Sequence, residues 1–408
     1  MTLHDFQESH ITIPVIGTSF LLQGRLCVPE STPNHNANDS TPPQKPVETI
    51  LILHGFLGHK DYCYQKLLAH EIPKRTGRAT LRFDFMACGD SFPPNIVSRT
   101  IQNDIRDLDS VLEWIRAYNK TAKTKGYRPL ELVGGVAHSR GSHSLLAWSA
   151  VHALQSLNAE QLPEIVRTLK YHATPGVAPL ASPLRFLASC SGRYRTSYLM
   201  ESYLHRLPDF AERGGERLTL RRPASGKVVD SWVSYSDIAD LSSVPIGQLL
   251  DILISLWGQG KDSNLEGSRF LTLFGDADHI VPVMDAFLYT THFARAVHES
   301  QNSSTDPLPL LVKQFSITGS YEDSLKKVDG TNKRPWIYQR PLPHSLQKLV
   351  LVPNADHNFY GKPRAYMPSE KRANYSEQVV SAVLDWMNEV DQETIAKKLA
   401  TDNKSARL

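Results

Sequence analysis

The sequence predicts an α/β fold: a mostly parallel central sheet flanked by helices, with an inserted cap. Three observations predict it. Short continuous apolar runs such as "ETILILHG" and "RFLTLFG" have the composition of strands buried on both faces. Segments of helical periodicity lie between such runs, and strands alternating with helices imply right-handed crossovers within one sheet. The alternation breaks between about Pro175 and Asn264, where Tyr194, Tyr198, Tyr203, Phe210, Trp232 and Tyr235 stand among charged residues, and then resumes.

The elements follow in order. "HITIPVIG" and "SFLLQGRLCV" read as two opening strands, and the polar stretch from about Pro29 to Pro46 reads as a surface loop. "ETILILHGFLG" and "ATLRFDFMACGDS" are strands that end in turns. Ile101, Ile105, Leu108, Leu112 and Ile115 share one face of a helix. "LELVGGV" is a strand and "SLLAWSAVHAL" a helix; "RFLTLFGDADHIVP" is a strand and turn before a helix reaching Ala296. The last strand is "KLVLVP" and the last helix spans about Ser376 to Met387. The expected organisation is core (1–174), cap (175–264), core (265–297), a Pro-, Ser- and Asn-rich insertion (298–346), the last strand and helix (347–390) and a C-terminal tail (391–408).

The totals narrow the function classes. With 408 residues and 41% hydrophobic content the chain can bury a sizeable core. The formal net charge is +3, and acidic and basic residues are mixed along the chain, so a nucleic-acid partner has no basic stripe to bind. No apolar run reaches the length of about 18 residues that a membrane span needs. Cys27, Cys63, Cys88 and Cys190 lack the spacing of a metal site, and the first residues lack a basic-then-apolar signal segment. Reduced thiols in a reducing compartment are therefore expected.

The chemistry lies at the turns. In "LVGGVAHSRGSHSLLAW" a strand passes straight into a helix, with Ser139 at the apex, Ala137 two residues before it and Gly141 two after. Small residues relieve backbone crowding in such a turn, which holds the apical side chain out of the sheet beside the N–H groups of a helix start. A serine nucleophile needs a base, and the base needs an orienting acid. Two later strand ends carry candidates: Asp278 in "GDADHIVP" for the acid and His357 in "ADHNF" for the base. Asp276 and Asp356 are the neighbouring competitors, expected to shape the turn and to bond local backbone respectively. His138 and His279 are expected beside the site rather than in it. In "HGFLG" (54–58), glycines let the loop approach the nucleophile, so the N–H of Phe56 is expected to form an oxyanion hole with that of Arg140.

Taken together, "HGFLG" (54–58), "RFDFMACGDS" (82–91), "AHSRGS" (137–142), "SGRY" (191–194), "GDADHIVP" (275–282) and "ADHNF" (355–359) resemble the α/β-hydrolases. The similarity is in particular to their cinnamoyl/feruloyl-esterase-like and serine-aminopeptidase-like branch. The resemblance implies the triad Ser139, Asp278 and His357, the Phe56 and Arg140 amides as oxyanion hole, and no metal or organic cofactor. It makes "SGRY" the start of the cap and gives Asp84 and Ser91 a structural part. Two departures stand out: Ala137 replaces the commoner glycine, and the segment between acid and base is longer than usual.

The expected activity is hydrolysis of a small-molecule carboxylic ester or thioester through an acyl-enzyme. Acyl transfer by the same triad and a catalytically silent binding protein are the alternatives. An aromatic-rich cap points to an apolar acyl or aromatic group in the pocket. The final residues Ala406-Arg407-Leu408 resemble a peroxisomal address of the small-basic-leucine type, to be gripped by an import receptor, with the cytosol as the alternative location.

Overall fold

The computed structural model of the chain describes residues 3–30, 45–91, 99–125, 127–155, 169–221, 228–258, 269–301, 347–361 and 372–405. The opening strands are β1 (Phe6–Pro14) and β2 (Leu21–Pro29), paired antiparallel. The next elements are β3 (Val47–Leu53), α1 (Gln65–Thr76), β4 (Ala79–Phe83), α2 (Ile101–Lys125), β5 (Leu130–His138), α3 (Arg140–Gln155) and β6 (Phe186–Cys190). The central sheet is completed by β9 (Arg269–Gly275) and β10 (Gln347–Val352), with α7 (Met284–Gln301) between them and α8 (Ser376–Ser405) after them. Its order is β1-β2-β4-β3-β5-β6-β9-β10. β4 through β10 in that order run parallel, and β2 pairs antiparallel with β4.

The continuous apolar runs explain the parallel region. Every residue of β4, β6 and β9 is buried, because helices cover both faces. On one face Leu68, Ala69 and Ile72 of α1 join Val379, Val383, Leu384 and Met387 of α8 over Ile50, Ile52 and Leu271. On the other, the predicted stripe Ile101, Ile105, Leu108, Leu112 and Ile115 packs with Leu145, Leu146 and Trp148 of α3. A parallel sheet sends all its carboxyl ends to one edge. The segments after β3, β5, β6, β9 and β10 therefore meet there, and that edge carries the candidate residues.

Between β6 and β9 lie α4 (Ser197–Arg206), the hairpin β7 (Gly215–Arg221) and β8 (Val228–Ser234), α5 (Tyr235–Ser242) and α6 (Ile246–Gly258). Phe210, Val233 and Ile238 form a small core for the cap, joined by Leu199, Met200 and Tyr203 and by Phe56 and Leu57 from the turn after β3. The cap thus sits on the candidate oxyanion loop. Leu249, Leu250 and Leu253 of α6 instead pack into the main core.

Several elements depart from the sequence expectation. The span 175–264 includes β6, which is central sheet. "FLASC" is five residues long and set among irregular sequence, so it left no periodicity to read. Helix α1 has a weak signature in the sequence, since Pro73 lies inside it and its apolar stripe is weak. The segment expected as a tail from 391 remains helical to Ser405, and its start is fastened to the body. Asp391 receives two bonds of 2.8 Å from Arg78, and Glu393 pairs with Arg269 at 2.9 Å. Ala406, Arg407 and Leu408 lie outside the described residues, as does the insertion beyond Gln301 up to residue 346. Cys27, Cys88 and Cys190 are buried thiols and Cys63 is half-buried. No helix among the described residues is long and apolar enough to cross a membrane.

Candidate active site

Ser139 occupies the single turn residue between β5 and α3 with φ 51°, in the left-handed region that costs a residue with a Cβ about 1–2 kcal/mol. Packing on both sides holds it there. Its N–H donates to the Cys190 carbonyl of β6 at 2.8 Å. A Cβ on Gly141 would lie 2.6 Å from the His54 carbonyl, so the β3 turn and the start of α3 touch backbone to backbone. Ala137 is fully buried in β5, and its methyl is accommodated.

The candidate base and acid come from later strand ends. His357 Nε2 lies 3.0 Å from Ser139 Oγ, and its Nδ1 lies 2.8 Å from Asp278 Oδ2. Asp278 Oδ1 accepts from the amides of Ile280 and Val281, both at 2.9 Å. The carboxylate beside Nδ1 assigns the ring proton to that nitrogen and leaves Nε2 free to accept from the serine. Asp278 and His357 are both buried.

The turns that carry Asp278 and His357 are laced together. Ala277 N donates to Ala355 O at 3.0 Å, and a Cβ on Gly275 would meet that carbonyl at 2.2 Å. Both competitors serve the turns, as expected. Exposed Asp276 accepts from Asn354 N at 2.6 Å. Asp356 accepts from the amides of Asn358 and Tyr360, both at 2.9 Å, and from Arg372. His279 is exposed, and His138 packs its ring 5.1 Å from that of His357. Burial, followed by the nearness of His357, pushes His138 well below the ordinary histidine range, so it stays neutral.

The candidate oxyanion loop is built on His54, whose role the sequence reading missed. Its Nδ1–H donates to Gly55 O at 2.8 Å and its Nε2 accepts from Phe85 N at 3.1 Å. Burial pushes its pKa down to about 3, which suits a neutral ring with one donor and one acceptor. Phe56 and Leu57 follow, Leu57 with φ 57°. The Arg140 amide opens α3 and has no carbonyl four residues back to bond. Among the described residues, neither the Phe56 nor the Arg140 amide donates to a protein acceptor.

Asp84 and Ser91 form a structural knot after β4. Asp84 accepts from Lys60 N at 2.6 Å, Lys60 Nζ at 2.7 Å and Asp90 N at 2.8 Å, while Ser91 Oγ donates to Asp84 O at 2.8 Å. "SGRY" leads into the cap: Ser191 N donates to Leu273 O, and the amides of Tyr194 and Arg195 both donate to Asp285 of α7. Among the described residues, one mixed cluster has metal-ligand types within reach of one another: Glu8, Cys27 and His70. There Arg82 already holds Glu8 at 2.7 Å, and burial pushes the Cys27 thiol up to about 11, so that place is taken by a guanidinium.

No protein-family model matches the chain. The uncharacterized protein YDL057W of Saccharomyces cerevisiae is 25% identical over 390 residues, which span 93% of this chain and 92% of the yeast protein. Among solved structures, Est1E from Butyrivibrio proteoclasticus aligns with 94% of this chain and 99% of its own at 15% identity and a TM-score of 0.47. The mouse alpha/beta hydrolase domain-containing protein 10 does so over the same shares at 13% identity and a TM-score of 0.46. With strands in the order β1-β2-β4-β3-β5-β6-β9-β10, a strained serine elbow after β5, and Asp278 and His357 after β9 and β10, the chain has the α/β-hydrolase fold.

Proposed function

We propose that the protein is a serine hydrolase that cleaves a carboxylic ester or thioester of a small molecule through an acyl-enzyme. One observation carries the reading: Ser139 Oγ, His357 and Asp278 form a continuous hydrogen-bonded chain of 3.0 and 2.8 Å. A structural serine at a helix start needs neither a buried imidazole on its hydroxyl nor a carboxylate behind that imidazole.

In this mechanism Ser139 Oγ attacks the acyl carbonyl as His357 Nε2 takes its proton. Asp278 holds the imidazole in its tautomer and stabilises the imidazolium. The oxyanion forms beside the Phe56 and Arg140 amides. The C–O or C–S bond breaks as His357 returns the proton to the leaving alcohol or thiol. Water then repeats the sequence in reverse and releases the acid. The apolar side chains of Phe56, Leu57, Leu199 and Met200, where the cap meets the oxyanion loop, favour an apolar acyl group.

A fluorophosphonate probe tests the reading, since only an activated serine attacks it. Wild type should label and Ser139→Ala should not, with hydrolysis lost on the order of 10⁴- to 10⁶-fold. A panel of short and long nitrophenyl esters, feruloyl esters and acyl-CoA thioesters would name the substrate class. Equal labelling of both proteins, or Ser139→Ala activity within tenfold of wild type, would overturn it.

A further inference from the structure

The side chain of Arg140 is 1% exposed, unusual for a cation one residue past a nucleophile. Its Nε donates to Asp104 Oδ2 at 3.0 Å and its Nη2 to Arg99 O at 2.7 Å. Its guanidinium carbon lies 5.9 Å from the centre of the Phe56 ring. One guanidinium therefore touches the side chain of the other candidate oxyanion donor while standing on the same residue as the first. Asp104 on α2 is fully buried; its Oδ1 accepts from Arg99 Nε at 2.7 Å and its Oδ2 also accepts from Ser144 Oγ at 2.6 Å. Burial works against ionising Asp104, but Arg140 and Arg99 hold its carboxyl below the ordinary value. The strap before α2 is fixed from the cap: Arg99 N donates to Asp237 and Ile101 N to Asp240, both at 2.7 Å.

We infer that the Arg140 side chain and Asp104 are positioning residues for the oxyanion hole, holding the Arg140 and Phe56 amides aimed at the reacting oxygen before substrate arrives. The need is local. The torsions around Ser139 and Arg140 join a strained residue to a helix whose first amides have no intrahelical bond, so the helix ladder leaves their direction undetermined. A buried fork fastened to a neighbouring helix supplies that constraint. The inference rests on the proposed use of these two amides.

The test uses Arg140→Met, Asp104→Asn and the double variant, all of which keep the backbone N–H groups. Each is assayed for kcat and KM on an ester, for inhibition by an aryl trifluoromethyl ketone and for the pH midpoint of kcat/KM. The ketone accepts Ser139 Oγ at its carbonyl carbon, its oxygen becomes the oxyanion and the serine proton passes to His357. Misaimed donors should lower kcat by about 10- to 100-fold with KM changed less than about threefold. Ketone affinity should weaken by the same factor as kcat falls, and the pH midpoint of kcat/KM should stay in place. The double variant should be no worse than the poorer single one, because the pair acts as a unit.

If Asp104→Asn, which leaves Arg99 and Arg140 without their shared counter-charge, prevents folding, Arg140→Met, which keeps the buried Asp104–Arg99 pair, decides. Ser144→Ala, which removes one of the bonds to Asp104, should give a smaller loss with the same ketone correlation. A folded variant with kcat within twofold of wild type, or a kcat loss without weaker ketone binding, would overturn the inference alone. A wild type that neither labels with fluorophosphonate nor hydrolyses any ester would remove the functional reading beneath it as well.

Discussion

Replacing Asp278 by asparagine puts the assignment of the acid to its sharpest test. The two carboxylate oxygens have separate duties: Oδ1 accepts from the Ile280 and Val281 amides at 2.9 Å, and Oδ2 faces His357 Nδ1 at 2.8 Å. Asparagine has one acceptor oxygen, and two N–H donors already claim it, so its NH₂ must face the histidine. Nδ1 then has to accept, the ring proton moves to Nε2, and the ring presents a donor to Ser139 where it needs an acceptor. A wrong-tautomer histidine in a serine triad costs about 10⁴-fold in kcat, or about 5.5 kcal/mol of barrier. The fold should tolerate the change, because the turn bonds survive; a stability loss of about 1 kcal/mol is expected. Asp276→Asn is the control. Asp276 is exposed and its bond to Asn354 N at 2.6 Å needs only a carbonyl oxygen, which asparagine keeps, so activity should stay within about fivefold. The assay is kcat/KM on a nitrophenyl ester with melting curves of both variants. Asp278→Asn retaining activity within tenfold, or Asp276→Asn proving the more damaging, would refute the reasoning.

Three further outcomes are expected. Ser139→Gly should be as inactive as Ser139→Ala yet more stable by about 1 kcal/mol, because glycine adopts φ 51° without the Cβ penalty; equal melting temperatures would deny strain at the elbow. His54, held near pKa 3 against an ordinary 6.5, takes its proton only in the unfolded chain between those values, so its contribution to stability is lost as pH falls from 6.5 towards 3. That is about 1.4 kcal/mol per pH unit, and His54→Gln, which can still donate and accept, should flatten the denaturant-measured slope by that amount; an unchanged slope would mean His54 is not kept neutral by burial. Met200→Ala and Tyr203→Ala, at the cap core that reaches Phe56 and Leu57, should shift preference along an acyl-length series more than they lower the melting temperature. Unchanged selectivity would make those side chains packing only.

What the sequence determined by itself is local. Buried strands declare themselves by continuous apolar runs, and α2 by a stripe that keeps its spacing from Ile101 to Ile115. Ser139, Asp278 and His357 were legible because the chemistry of turns is written in adjacent residues: small ones around the serine, and Gly, Asp and Asn after apolar runs. A parallel sheet brings such turns to one edge wherever they fall in the chain. Tertiary structure alone decided the rest. "FLASC" is a strand only because β5 and β9 flank it with paired backbone, and the helix beyond residue 391 is fastened by Arg78 and Arg269, hundreds and more than a hundred residues away. Likewise, nothing beside Arg140 in the sequence shows that its guanidinium turns inward to Asp104 and Phe56. A charge chooses burial by the partners that packing delivers, and those partners come from other helices and strands. Periodicity and turn chemistry act within a few residues, whereas desolvation and pairing are settled only when distant segments meet.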